Sequence, residues 1–181
     1  MICPYEYWKL DDYIPTYVCD EIVKNHVDFE VATTANWNEN DYNKARKSHV
    51  QWIKTPFYVN LVFDIIKQCN KFDFDISHME TLQLTRYVAP DGKYDFHYDG
   101  NGYTRKHINE PVRKLSMTCL LSDPDEFEGG VFQMETSEIY DVELSKGSLV
   151  VFPSYYRHRV TPVTKGTRYS LVGWACGEPF K

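Results

Sequence analysis

The spacing of apolar residues changes near residue 78. Before that point they recur at helical intervals. In PTYVCDEIVKNHV, residues 15–27, Cys19, Ile22, Val23 and Val27 fall on one helical face. In TPFYVNLVFDIIKQCN, residues 55–70, Val62, Ile65, Ile66 and Cys69 form a second stripe. Thr55 suits the N-cap there and Pro56 the first turn. Both stretches predict packing helices without chemistry. After residue 78 the period shortens to two. TLQLTRYV (81–88) alternates, and KLSMTCLLS (114–122) does so more cleanly, with Leu115, Met117, Cys119 and Leu121 on one face. GVFQME, EIYDVEL, GSLVVF, HRVTPV and TRYSLVGWA follow, separated by Gly, Asp, Pro and Ser turn signals. With KYDFHYD this makes about eight strands in roughly 100 residues, the spacing of a sandwich or closed roll. The expected fold is mainly β (α+β), a double-stranded β-helix or jelly roll braced by N-terminal helices. Strict βαβ alternation is missing, which excludes a doubly wound sheet. No repeat, low-complexity tract or linker divides the chain. It reads as one domain over 1–181, with a helical support region at 1–78 and a jelly-roll core at 79–177.

Charge and cysteine usage narrow the setting. A net charge of −6 argues against a nucleic-acid partner, because duplex binding rests on Lys and Arg neutralising phosphates. The five cysteines (Cys3, Cys19, Cys69, Cys119, Cys176) are odd in number, scattered and never spaced CxxC. That pattern predicts reduced thiols in an intracellular protein rather than a zinc ribbon or disulfide framework. The opening MICPYEYWKLDDYIP has acids where a signal peptide needs basic and then apolar residues. No apolar run approaches the 18 or more residues of a membrane span. A soluble, cytoplasmic protein with no membrane partner is expected.

The candidate chemistry starts at KYDFHYDG, residues 93–100. On a strand, His97 and Asp99 point to the same side. Both groups could simply be solvated at a strand end, or they form two thirds of a metal site. A third ligand is available in FPSYYRHRVTPVTKGTRYSLVGW (152–174), where His158 opens a strand after a Pro-Ser turn. His97, Asp99 and His158 together make the two-histidine, one-carboxylate set of non-haem Fe(II) oxygenases. Arg168 follows His158 by ten residues, beyond a Lys165-Gly166 turn that places the two on neighbouring strands of one hairpin. A dicarboxylate chelating the metal at one end needs a fixed cation at the other, and guanidinium grips carboxylate in a bidentate fork. His26, His49, His78 and His107 have no partner at useful spacing, and Asp95 is left without a role. Gly129 and Gly130 are assigned to turn geometry.

At these residues the chain resembles the 2-oxoglutarate- and Fe(II)-dependent dioxygenases of prolyl 4-hydroxylase type, including prokaryotic relatives of the oxygen-sensing prolyl hydroxylases. The resemblance covers about residues 80–176, on RYVAPDGKYDFHYD, LLSDPDEFEGG, KGSLVVFPSYYRHRV and TRYSLVGW in order. It implies that His97, Asp99 and His158 ligate Fe(II) and that Arg168 binds the distal carboxylate of 2-oxoglutarate. It also implies that Tyr87 hydrogen-bonds near the co-substrate, that Trp174 stands beside the metal and that Tyr94 lines the substrate mouth. The implied reaction consumes O2, decarboxylates 2-oxoglutarate to succinate and hydroxylates carbon. One departure stands out. Several relatives carry a tyrosine that helps the arginine, and the matching position here is Leu120.

The polar stretch 99–113 leaves directly from Asp99 and is long for a hairpin loop, so a substrate-facing loop is expected, with Asn101 and Arg105 as substrate contacts. The leading function is hydroxylation of a prolyl residue in a protein or peptide. Alternatives are hydroxylation of a free amino acid or small metabolite, nucleic-acid demethylation and a non-catalytic cupin-like module. The demethylases carry a second arginine where this chain has Trp174. A halogenase needs the coordination position that Asp99 fills. A storage module has no use for Arg168.

Overall fold

Two antiparallel sheets share one long strand and enclose the chemistry between them. The computed structural model describes residues 7–33, 45–100 and 110–180. In chain order the elements are β1 (Trp8–Leu10), α1 (Thr16–Asn25), β2 (Glu30–Val31), β3 (Arg46–Lys47), β4 (His49–Ile53), α2 (Pro56–Cys69), β5 (His78–Met79), β6 (Leu82–Val88), β7 (Gly92–His97), β8 (Val112–Leu120), β9 (Phe127–Gly129), β10 (Phe132–Glu135), β11 (Ile139–Val142), β12 (Leu149–Pro153) and β13 (Arg157–Gly177). The larger sheet runs β1-β12-β8-β13-β6-β4-β2, with β5 beside the end of β13. In the smaller sheet β11 pairs β10, β13 lies between β10 and β7, β3 pairs β7, and β9 continues along β13. This is the expected jelly roll.

The hairpin between His158 and Arg168 does not exist. Both lie on β13, a single 21-residue strand that leaves the smaller sheet and continues into the larger one. Gly166 pairs with Phe127 of β9, and the next residue, Thr167, already pairs with Val88 of β6. Register shifts between His158 and Val160, Val160 and Val163, and Val163 and Lys165 bend the strand there. Gly166 has φ +72°, and a Cβ would stand 2.1 Å from the carbonyl oxygen of Glu126. The Lys-Gly signal therefore marks a bend within a strand rather than a reversal of the chain.

The outer face of the larger sheet carries the main core. Leu115, Met117, Cys119 and Leu121 all bury there, as their alternation requires, against Val62, Ile65, Ile66 and Cys69 of α2. Each such aliphatic side chain contributes roughly 1.5–3 kcal/mol of transfer free energy. Thr55 is the N-cap of α2 and Pro56 sits in its first turn, without a side-chain cap bond. α1 buries Cys19 and Ile22. It stops at Asn25, where His26 turns extended, so Val27 is not on the buried stripe and is 71% exposed. The stretch expected to be a helical support also supplies β1 at one edge of the larger sheet, β2 and β4 at the other, and β3 in the smaller one.

A second core lies between the sheets. Phe132, Met134, Val142, Val150, Phe152, Val160 and Val163 pack there with Tyr87. Registers on the larger sheet then set the walls of the site. Tyr87 is opposite Arg168, and Thr85 and Leu120 flank Ser170 from either side. Gln83 and Thr118 flank Val172, and Ser116 is opposite Trp174.

Candidate active site

His97 is the last residue of β7, so Asp99 lies beyond the strand rather than on its face. The chain is drawn inward because the backbone N–H groups of Asp99 and Gly100 both donate to the carbonyl of Ser154, at 3.1 Å each. β13 places His158 opposite His97 in the ladder. The three side chains converge. His97 Nε2 is 3.6 Å from Asp99 Oδ1, and His158 Nε2 is 3.4 Å from Asp99 Oδ2. Among the described residues this is the group of ligand atoms, all within 4.8 Å of one another, that could hold a metal ion.

The other ring nitrogens fix the tautomers. His97 Nδ1 donates to the carbonyl of Asp95 at 2.8 Å, and His158 Nδ1 to that of Tyr156 at 3.0 Å. Each Nε2 is left with its lone pair turned toward Asp99, the arrangement that metal-bound histidines adopt. Burial pushes the His158 pKa down to about 4, with His97 adding to the effect, so the imidazole is neutral at neutral pH. Burial works against ionisation of Asp99, but the flanking His158 and His97 side chains and Arg113 outweigh it and hold the carboxyl well below its usual range. Neutral imidazoles and an ionised carboxylate are the forms that bind Fe(II).

Arg168 is the largest fully buried side chain, 1% exposed. Its Cζ lies 5.6 Å from the Tyr87 ring, and Nη1 has no hydrogen-bond partner among the described residues. Burial lowers its pKa, with Tyr87 opposing the shift. Gly130 is close because it must be. A Cβ there would stand 2.8 Å from Arg168 Cδ, so this glycine makes room for the arginine stem as well as turning the chain at φ +60°. Leu120 is buried on the same inner face and supplies no donor, while the Ser170 hydroxyl sits opposite it.

Between the sheets opens a cavity of about 630 Å3. The triad lines it, with Tyr87, Tyr94, Trp174, Thr118 and Ser170. Arg168 does not line it directly and stands beside Tyr87 and Ser170, which do. Tyr94 stacks on His97 with ring centroids 3.5 Å apart, and burial raises its pKa to about 12. Trp174 Nε1 is buried without a partner among the described residues. Its ring lies 3.8 Å from the Arg113 guanidinium, which Glu80 grips through two hydrogen bonds of 2.7 and 2.5 Å. Asn101 and Arg105, and most of the 99–113 loop, lie outside the described residues.

Two cavity arginines, Arg46 and Arg113, were not anticipated from sequence. Arg46 belongs to a two-residue strand, too short to show a period, and Arg113 precedes the alternating run of β8. Their partners Gln83 and Glu80 are distant in the chain, and no local motif signals them.

A jelly roll holding two imidazoles and a carboxylate around an internal cavity, with a buried guanidinium nearby, has the donor set of the non-haem iron oxygenases. Residues 82–176 match the 2OG-Fe(II) oxygenase superfamily, and the chain belongs to that family. Fe(II), 2-oxoglutarate and O2 fit the donor set and the unpartnered Arg168. A PKHD-type hydroxylase of Hyphomonas neptunium is 42% identical over 78 residues, covering 38% of this chain and 35% of that protein. The chain spans less than half the length of the first curated relatives it matches. Among solved structures, a Pseudomonas putida prolyl-4-hydroxylase superposes with a TM-score of 0.72 at 19% identity, over 98% of this chain and 95% of that one. A prolyl hydroxylase from Trichoplax adhaerens, in complex with a hypoxia inducible factor oxygen degradation domain peptide fragment, gives 0.76 at 16% identity, over 95% and 84%. No helix among the described residues is long and apolar enough to cross a membrane.

Proposed function

We propose that this chain hydroxylates a prolyl residue in a protein or peptide, consuming O2 and 2-oxoglutarate and releasing succinate and CO2. The observation that carries the reading is the pairing of a triad in metal-binding form with a buried, unpartnered guanidinium on the same strand. When bound, Fe(II) and 2-oxoglutarate supply the oxygen-activating chemistry. The chain supplies placement. His97, Asp99 and His158 hold the metal, and the carbonyls of Asp95 and Tyr156 keep both imidazoles turned inward. Arg168 takes the distal carboxylate, and the buried Ser170 hydroxyl is the nearest replacement for the donor missing at Leu120. Phe132, Phe152 and Val160 keep water from the inner wall. Tyr94, stacked on His97, forms the side of the mouth where a substrate carbon arrives.

A polypeptide substrate is supported by the peptide bound to the Trichoplax fold neighbour. The four described cysteines are buried and free, which suits the cytoplasm as the place of action. The test is incubation of a proteome digest or proline-containing peptide library with protein, Fe(II), 2-oxoglutarate and O2. The expected product is +16 Da on proline, with stoichiometric succinate. Succinate formation stimulated by a free amino acid and by no peptide would replace this reading with small-metabolite hydroxylation.

A further inference from the structure

Arg46 reaches the cavity from β3 and is only 7% exposed. Its Nε donates to Ser48 Oγ at 2.9 Å and its Nη2 to Gln83 Oε1 at 2.9 Å. Gln83 Oε1 also accepts from Thr85 Oγ1 at 3.2 Å, which fixes the direction of its amide. The guanidinium lies 4.4 Å from the centre of the Tyr94 ring, and that ring stacks on the ligand His97. These contacts orient Arg46 without neutralising it. Both acceptors are uncharged, and no carboxylate among the described residues forms an ion pair with it.

The neighbouring charges are already matched. Glu80 neutralises Arg113. Asp95 pairs with Lys93 at 2.8 Å. On the proposed function, which this inference rests on, Asp99 and a chelating dicarboxylate balance the divalent metal and Arg168. Among the described residues Arg46 remains a buried positive charge facing the cavity, and a buried charge without a counter-ion is strongly unfavourable. A planar fork held rigidly on two sides suits a carboxylate better than any neutral group.

We propose that Arg46 receives a carboxylate of the primary substrate, so that the molecule hydroxylated carries an anionic group near the carbon it presents to the triad. Two sources share this chemistry. One is the α-carboxylate of a free amino acid, and the other is an acidic side chain flanking the target residue of a peptide.

The test measures binding rather than turnover. Trp52 and Trp174 both line the cavity, so their fluorescence reports its occupancy. Protein loaded with Fe(II) and 2-oxoglutarate, with O2 excluded, is titrated with matched probes. L-proline is compared with L-prolinamide and L-leucine with L-leucinamide. Capped proline peptides with Glu on either side of the proline are compared with the same peptides carrying Gln. The carboxylate member of at least one pair should bind tenfold or more tightly. In Arg46→Gln that preference should fall below threefold, and in Arg46→Lys it should be intermediate, because the charge remains and the fork is lost. The pair that shows the preference identifies the source. Equal binding within every pair in the wild-type protein, which needs no variant, overturns the proposal. So does a preference that survives in Arg46→Gln, or a loss of 2-oxoglutarate affinity in that variant in place of probe affinity. Carboxylate preference without hydroxylation at proline would keep Arg46 in this role and remove the prolyl reading. Prolyl hydroxylation without carboxylate preference would do the reverse.

Discussion

Arg168 Nη1 is a charged donor held away from water and from every described acceptor, and His158 nearby is uncharged because burial makes its protonation costly. The same desolvation therefore prepares two different ligands, a cation for an anion and lone pairs for a metal. Arg168→Ala should raise the KM for 2-oxoglutarate sharply, a loss on the order of 2–5 kcal/mol, since the co-substrate keeps a buried carboxylate and loses its ion pair. Arg168→Lys should recover only part, lacking the bidentate fork. Wild-type dependence on 2-oxoglutarate in both variants would assign the clamp elsewhere. His97→Ala or His158→Ala should abolish turnover and weaken Fe(II) binding in calorimetric titration, because each removes one of three convergent ligand atoms. At this scale the sequence was most legible where chemistry restricts residue type. Two histidines, a carboxylate and an arginine stood at spacings that matter. Arg46, also buried and cationic, had no such spacing, because its contacts with Ser48, Gln83 and Tyr94 exist only after the sheets close.

Among the elements, β13 bears most of the design. It carries His158 in one sheet and Arg168 in the other, and its bend sets the distance between the triad and that arginine. The alternation of its two halves was readable, and so was the Lys-Gly interruption. What could not be read was direction. A glycine at positive φ serves a chain reversal or a bulge equally well, and only the continued pairing with β9 and then β6 decides. The strands β1 to β5 were unreadable for a simpler reason, since four of the five have two or three residues and cannot display a period of two. Gly166→Ala should destabilise the fold by about 1–3 kcal/mol in urea titration, through strain at φ +72° and collision with the Glu126 carbonyl. Gly130→Ala should act differently. Its Cβ meets the Arg168 stem, so the 2-oxoglutarate KM should rise along with any loss of stability. A change in stability alone would show that the stem can move aside at no cost to the clamp.

For the whole molecule, these buried charges mean that the protein without its ligands is held below its attainable stability. Ligands that bind only the folded state stabilise it by about 2.7 kcal/mol at a hundred times Kd. For a chain of this size that corresponds to roughly 5–10 °C in Tm. Fe(II) and 2-oxoglutarate should therefore raise Tm in two separable steps, one for the triad and one for Arg168. Arg168→Met isolates the second step. A buried ion replaced by an apolar side chain of similar length loses its desolvation cost, so the ligand-free variant should melt at or above the wild-type temperature. It should keep the Fe(II) step and lose most of the 2-oxoglutarate step. Differential scanning calorimetry of both proteins, alone, with Fe(II), and with Fe(II) and 2-oxoglutarate under nitrogen, measures all three quantities. A ligand-free variant far less stable than wild type would mean that Arg168 braces the bend of β13 by packing rather than waiting for an anion. A full 2-oxoglutarate step in Arg168→Met would mean that the distal carboxylate is held by another cation of the cavity. Arg46, rigid and unneutralised among the described residues, is the one positioned to do it.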